Sequence, residues 1–295
     1  MKNAYLINRL SEIINWIETN IQLEITLDDI ASNSHLSKYY LHRIFKQATG
    51  LSLLEYVRSR KLAASLSDLM NTDLRVVDIA QEYGFEYHQS YIRAFTREYG
   101  ITPTQFRNGT TPVKVVERFN LANCYQVDDG LVFKPIHVML PAFFVAGNRR
   151  IVYIGDNFQN QTANDYAQTF YYKDRHRIKN AVDPDTYIGL TRVPKDSTEF
   201  TYYIPSIQVK EGSPVPEGMI VERIPSNKYA VFKYIGNHYP NEISSKTLKT
   251  IWEYIYGHWM KENNQLNTYS FERINPLQAE DYCEMELFFP FTTLN

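Results

Sequence analysis

The 295-residue sequence has only two cysteines, Cys124 and Cys283. That is too few for a disulfide framework or a four-cysteine zinc site, and it predicts a reducing, cytosolic compartment. No apolar run approaches the ~20 residues needed to span a bilayer. The N-terminus lacks the basic, apolar, small-residue order of a secretory leader, so no membrane association is expected. Neither sign of charge dominates: 31 Lys and Arg face 33 Asp and Glu, for a net charge of −2. Any contact with nucleic acid must therefore arise from local pattern rather than from a global basic excess. No nucleophile elbow, HExxH, phosphate-binding loop or GxGxxG motif is present. The seven histidines (35, 42, 88, 137, 176, 238 and 258) include no close pair at metal-ligand spacing. His176 lies in the charged run from Lys173 to Lys179, most simply a solvated helix face. Neither a metal nor a cofactor is implied.

What is present divides near residue 110, as expected for a chain of roughly two domains. Up to residue 107 the pattern is helical, with Pro103 as its one proline. Leu6, Ile7, Leu10, Ile13, Ile14 and Ile17 form a single apolar stripe. Later, β-branched and aromatic runs alternate with Pro and Gly. Tyr187-Ile188-Gly189-Leu190-Thr191, Tyr202-Tyr203-Ile204 and Tyr229 through Tyr234 read as strands. The polar stretch Asn108-Gly109-Thr110-Thr111-Pro112 suits a connection. The expected division is a helical domain over 1–108, a linker over 109–133 and a second domain over 134–295. Residues 1–111 carry 12 basic and 12 acidic side chains, so the helical part is neutral.

The helical part repeats. Leu27-Asp28-Asp29-Ile30-Ala31 matches Val76-Val77-Asp78-Ile79-Ala80, Arg43-Ile44-Phe45 matches Arg93-Ala94-Phe95, and Gly50-Leu51-Ser52 matches Gly100-Ile101-Thr102. The offset is 49 residues at first and 50 later. One residue has entered the turn of the second copy, which marks two copies of one supersecondary unit. Each copy reads as a helix-turn-helix. Thr26 can cap the first helix with Asp29 at its third position. Ala31 and Ala80 let the helices cross closely. Gly84 supplies a positive-φ turn residue in the second copy, where the first has His35.

Ser37 can cap a helix running to about Thr49. Leu41, Ile44, Phe45 and Ala48 share its apolar back. Tyr39, His42, Arg43 and Lys46 share the other face, and no acid lies between Ser37 and Lys46. In the second copy the matching face holds Gln89, Ile92, Arg93 and Thr96, with His88 near the helix start. Arg can bond guanine in a bidentate manner, Gln can do so with adenine, and Ile can touch a thymine methyl. A solvated polar face is the commoner reason for such a stripe, but duplication in two turn-matched units favours recognition. Leu53 to Met70 reads as one spacer helix about 27 Å long, able to set two recognition helices about one DNA turn, ~34 Å, apart. Lys38, Arg43, Lys46, Arg93 and Arg97 form a local basic face that would make binding salt-sensitive.

Gly84 through Phe95, followed by Gly100-Ile101-Thr102-Pro103 and Phe106-Arg107, resembles the signature of AraC/XylS-family transcription regulators, and the resemblance spans residues 6–107. It implies double-stranded DNA as partner, contacted by Tyr39, His42 and Arg43 from the first unit and by His88, Gln89 and Arg93 from the second. His35 and His42 depart from the residues usual at their positions.

The second half shows a coarse order twice. His137–Gly147 (strand), Ala163 to about Lys179 (helix), Tyr187–Val193 and Phe200–Val209 (strands) are followed by Tyr229–Gly236 (strand), Lys246–Lys261 (helix), Tyr269–Ile274 and Glu284–Pro290 (strands). The expected fold is an α+β domain of two β-α-β-β repeats. In the second helix Leu248, Ile251, Trp252, Ile255 and Trp259 form an apolar face that packs mostly on the sheet. Glu222-Arg223-Ile224-Pro225, Lys228 through Phe232 with Gly236, Ile251 through Tyr256, Phe271-Glu272-Arg273 and the terminal strand together resemble the GyrI-like effector-binding domain. Residues 113–135 remain unplaced.

That resemblance implies a cleft between the repeats, walled by aromatic rings and floored by a carboxylate. Glu272 matches the floor position; Trp252, Tyr256 and Tyr229 are wall candidates. Aromatic faces and a carboxylate in an apolar cavity favour a cation, so the expected effector is a small amphipathic or cationic aromatic molecule. The competing reading of Glu272 is a strand residue paired with Arg273 or another surface charge. Some GyrI-like domains resemble hydrolases, and a hydrolase or a DNA-tethered protein-interaction module is the alternative. Fusion to a DNA reader favours a non-enzymatic sensor, acting through domain packing, promoter choice or RNA polymerase contact.

Overall fold

The computed structural model describes residues 5–34, 36–127, 130–195, 198–243, 249–262, 268–275 and 282–291. They form two compact units, the first ending at Ala122 and the second beginning at Asn123.

In the first unit α1 (Tyr5–Thr19) buries Leu6, Leu10, Ile13, Ile14 and Ile17, five of the six stripe residues. Before α2 (Leu27–Ser34) the predicted cap forms reciprocally. Thr26 Oγ1 accepts from the Asp29 N–H at 3.2 Å, and the Asp29 carboxylate accepts from the Thr26 N–H at 2.9 Å. Ser37 caps α3 (Lys38–Thr49), accepting from the Tyr40 N–H at 3.2 Å. The spacer α4 (Leu53–Asn71) opens on a Ser52–Glu55 capping box and is about 28 Å long at ~1.5 Å per residue. Then come α5 (Val76–Glu82), α6 (His88–Tyr99) and α7 (Pro103–Asn108). His35, the turn residue of the first copy, lies outside the described residues. In the second copy Gly84 has φ +69°. A Cβ there would also lie 2.8 Å from the Leu23 carbonyl carbon and oxygen, so the turn needs glycine for both conformation and close approach. Ala80 is fully buried, but Ala31 is only half-buried.

Lys61 of α4 stitches this region together. It is buried, and its ammonium donates to the carbonyls of Ile21 at 2.8 Å, Tyr83 at 2.9 Å and Leu23. Burial lowers its pKa to about 8. Three carbonyl acceptors match the three donors of the charged form, which therefore persists at neutral pH.

Much of the stretch expected as a linker, 109–133, packs into one unit or the other. Val113 and Val115 pack against the core of α4–α6. Arg60 holds Glu18 through two 2.8 Å bonds and donates to the Val116 carbonyl at 2.7 Å. Phe119 is buried beside Phe45, centroids 5.6 Å apart, and its N–H donates to the Tyr56 hydroxyl at 3.0 Å. Beyond Asn123, β1 (Cys124–Val127) and β2 (Gly130–Phe133) form a hairpin that joins the second unit's sheet.

That sheet is antiparallel and has eleven strands among the described residues. The strand expected over His137–Gly147 is two strands, β3 (Ile136–Leu140) and β4 (Phe143–Gly147), broken at Pro141, which has no N–H to give a ladder. After β5 (Arg150–Tyr153) come α8 (Ile154–Asn160) and α9 (Thr162–Thr169), with a π-helical turn over Phe170–Asp174. Then follow β6 (Tyr187–Arg192), β7 (Phe200–Val209), β8 (Ile220–Ile224) and β9 (Asn227–Gly236). The second helix is described from α10 (Lys249–Tyr254) through a π-helical turn, Ile255–Trp259, to Glu262. Its first expected residues, Leu248 among them, lie outside the described residues. The chain closes on β10 (Tyr269–Ile274) and β11 (Cys283–Pro290).

The sheet order is β1-β2-β9-β11-β10-β6-β7-β4-β8. Within it β4-β7-β6 and β9-β11-β10 are the same arrangement, so the two expected β-α-β-β repeats are present and meet along the β6–β10 pair. Strand period two sorts the core into two faces. Phe232, Tyr234, Ile274, Leu287 and Phe289 lie on the face that packs with Ile251, Ile255 and Trp259 of the second helix. Tyr229, Val231, Tyr269, Phe271 and Phe288 lie on the other.

Candidate functional site

In the first unit the proposed reading faces point outward. Leu41, Ile44 and Phe45 bury the back of α3 completely, while Lys38, Tyr39, His42 and Lys46 are exposed and Arg43 is half-buried. Tyr39 is 75% exposed, which no packing role explains. Lys38 is not an open donor, because its ammonium pairs with the Asp28 carboxylate of α2. An exposed pair of this kind is weak enough for a phosphate to compete with it. On α6, Tyr91 and Phe95 are buried, whereas His88, Gln89, Arg93 and Arg97 are exposed and Ile92 and Thr96 half-buried. The Thr96 hydroxyl donates to the Ile92 carbonyl at 2.8 Å, so its oxygen is turned back along the helix. Tyr87, just ahead of His88, is 61% exposed and was not singled out from the sequence.

In the second unit both repeats line a cavity of about 510 Å³, within the range that holds a drug-sized molecule. Val152, Phe200 and Tyr203 come from the first repeat, Trp252, Tyr256 and Leu287 from the second. Glu272 faces it from β10. The register explains how the polar groups meet. Glu272 stands opposite Gly189 on β6, while Thr191 on the same strand stands opposite Tyr203 of β7. With no side chain at Gly189, Tyr187 and Tyr203 reach over it from either side. Their hydroxyls are 2.6 Å apart, and Tyr203 donates to Glu272 Oε1 at 2.7 Å. A Cβ at position 189 would lie 1.9 Å from Glu272 Oε1 and 2.6 Å from the Tyr203 hydroxyl. Burial pushes the Glu272 carboxyl up to about 7, against the opposing pull of the Tyr203 hydrogen bond. Burial, followed by the nearby Glu272, raises both tyrosines well above their ordinary value, so they remain protonated donors.

The second helix divides its aromatic stripe. Ile251, Ile255 and Trp259 are buried on the sheet. Trp252 and Tyr256 stack at 5.8 Å and line the cavity. Tyr229 does not join them. It is fully buried on the opposite face of the sheet and donates to the Pro225 carbonyl at 2.7 Å. The expectation that Tyr229 walls the cleft is corrected by strand parity, since Ala230 and Phe232, not Tyr229, face the helix side. The alternative pairing of Glu272 with Arg273 is also absent, because Arg273 binds Glu286.

Residues 30–109 match the family model of a helix-turn-helix domain, and residues 133–292, more than half of the chain, match that of the GyrI-like small molecule binding domain. The HTH-type transcriptional activator AarP of Providencia stuartii is 39% identical over 102 residues, covering 35% of this chain and 76% of AarP. PqrA of Proteus vulgaris, described as a probable transcription factor, is 41% identical over 108 residues, 36% of this chain and 88% of PqrA. The chain belongs to the AraC family of transcription regulators. Its second half is a GyrI-like small-molecule-binding domain. A solved structure, SAV2435 bound to tetraphenylphosphonium, overlays on 54% of this chain and 93% of its own at 16% identity, with a TM-score of 0.42.

Tyr187 and Tyr203, which line the cavity of this AraC-family regulator, and Gly189, which lets them approach Glu272, are among the residues that escaped the sequence reading. The signal was present in Tyr187-Ile188-Gly189, since a glycine inside a strand pattern marks a close approach. The partner that approaches could be found only once β10 was set against β6. No helix among the described residues of the regulator is long and apolar enough to cross a membrane.

Proposed function

We propose that this regulator is a one-component sensor that reads double-stranded DNA with the exposed faces of α3 and α6 and responds to a lipophilic aromatic cation held against Glu272. The observation that carries the ligand class is the carboxylate of Glu272 in an aromatic-lined cavity, supported by the Tyr187–Tyr203 hydroxyl pair and left without a cationic partner by Arg273. A buried carboxylate is costly unless paired, and a bound cation removes that cost. Stacked Trp252 and Tyr256 offer ring faces to the same ligand. On the DNA side, Arg43, Gln89 and Arg93 are the base-reading residues, with His42, His88, Tyr39, Lys46 and Lys38 on bases or phosphates. The DNA partner places the protein in the cytoplasm, and the signal passes to RNA polymerase through promoter occupancy or direct contact. Sensing rather than turnover suits a carboxylate committed to a tyrosine donor in a chain that carries a DNA reader.

Titration of the wild type and Glu272→Gln with tetraphenylphosphonium, followed by tryptophan fluorescence, tests the ligand class. A loss of affinity of tenfold or more in the variant is expected; equal affinities overturn the role of Glu272. Incubation with aryl esters tests turnover, and product formation lost in Glu272→Gln would replace the sensor with a hydrolase.

A further inference from the structure

The register that brings Glu272 over Gly189 also builds a second polar row in the cavity, one step along the same strands. Ser270 on β10 stands opposite Thr191 on β6, and Thr191 in turn stands opposite Tyr203 on β7. Ser270 and Glu272 are two residues apart, so they point to the same face and lie about 7 Å apart along the strand. Ser270 and Thr191 both line the cavity. Ser270 is 6% exposed, and among the described residues neither hydroxyl is taken up by another side chain or carbonyl. The Tyr203 hydroxyl, which would otherwise serve this row, is turned towards Glu272. A wall built only to hold greasy rings would carry valine and alanine at these two positions. Hydroxyls that face the cavity without a partner on the protein, Thr191 half-buried and Ser270 at the wall, instead reward a ligand that bonds them over one that does not.

We propose that Thr191 and Ser270 are specificity-determining residues, selecting among lipophilic cations those that carry a hydroxyl or comparable hydrogen-bonding group about 7 Å from the centre of charge. The inference rests on the cation reading of the cavity. It adds a second anchor point to that reading, and so a ligand class: an elongated amphipathic cation with a polar group at one end, rather than a symmetrical one.

A matched pair of probes separates the two. Tetraphenylphosphonium has a charge and no hydrogen-bonding group; (4-hydroxyphenyl)triphenylphosphonium places a hydroxyl one ring away from the phosphorus. Both are titrated into the full-length wild type, the Thr191→Val, Ser270→Ala double variant and Glu272→Gln, with thermal melting confirming that each variant is folded. The wild type is expected to bind the hydroxylated probe about fivefold more tightly. The double variant is expected to remove that preference, bringing the ratio of the two affinities to about one, and Glu272→Gln to weaken both probes. A preference that survives in the double variant, or no preference in the wild type, overturns the role of Thr191 and Ser270 while leaving the cation reading in place. Failure of both probes to bind the wild type overturns the cation reading and this inference with it. Should the double variant melt well below the wild type, the single Thr191→Val change, which keeps the side-chain volume, decides by the same criterion.

Discussion

A methyl group at position 189 would lie 1.9 Å from Glu272 Oε1, so Gly189→Ala must displace the carboxylate, and with it the Tyr203 hydrogen bond. Loss of tetraphenylphosphonium binding by tenfold or more is the expected result in a calorimetric titration, with β6 still paired on both sides. Glu272 itself sets a pH dependence. Its folded value is raised from 4.5 to about 7, so the folded state binds the proton more tightly than the unfolded chain does. Well below pH 4.5 both states are protonated and the group contributes nothing; stability is lost as pH rises from about 4.5 to about 7, where the unfolded chain is ionised and the folded carboxyl is not, and above about 7 both are ionised and the loss levels off. Glu272→Gln is therefore expected to stabilise the protein at pH 8, by an order of 2–3 kcal/mol in denaturant unfolding, and to have little effect at pH 4.5. Affinity for a cation moves the other way, rising between pH 6 and 8 in the wild type and remaining flat in Glu272→Gln. Glu272 was legible in the sequence because a Phe-Glu motif carries it. Tyr229 was misread because the face of a strand residue depends on parity and register, neither of which a motif displays.

Helix ends were the most legible elements, since their chemistry is local: Thr26 with Asp29, and Ser37, cap as their residue types dictate. What joins helices was not legible. Nothing near Lys61 in the chain announces that its ammonium serves carbonyls at residues 21, 23 and 83. Lys61→Met keeps much of the side-chain length and orphans those acceptors, at a cost of roughly 2–4 kcal/mol, and a lower melting temperature of the isolated first unit or the whole chain checks this. In the second unit the helix–strand alternation gave both repeats. The β1–β2 hairpin was read as linker because Cys124-Tyr125-Gln126-Val127 is too short a run to reveal a period, and its pairing with β9 is more than 90 residues distant in sequence. The break between β3 and β4 was available in Pro141 and was overridden by the apolar run around it.

At the scale of the molecule, one polypeptide carries a helix-turn-helix pair and a GyrI-like small-molecule-binding domain. The DNA side of this pairing makes its own prediction. Arg43→Ala with Arg93→Ala should weaken operator binding more than a hundredfold, since each base contact is worth roughly 1–3 kcal/mol, while the variant still binds tetraphenylphosphonium like the wild type; footprinting on the protein's own upstream region supplies the operator. The repeat that locates these arginines was visible because duplication preserves spacing. The cavity was visible only in outline, because it is assembled by strands from two repeats whose register is a tertiary fact. The most direct test of a ligand-responsive regulator is transcription in vitro from a promoter carrying that operator, with and without tetraphenylphosphonium, comparing the wild type with Glu272→Gln. The account predicts that the cation changes transcript yield with the wild type but not with Glu272→Gln, although both protect the operator equally. A cation response that persists in Glu272→Gln, or wild-type output indifferent to the cation while it is bound, would contradict it.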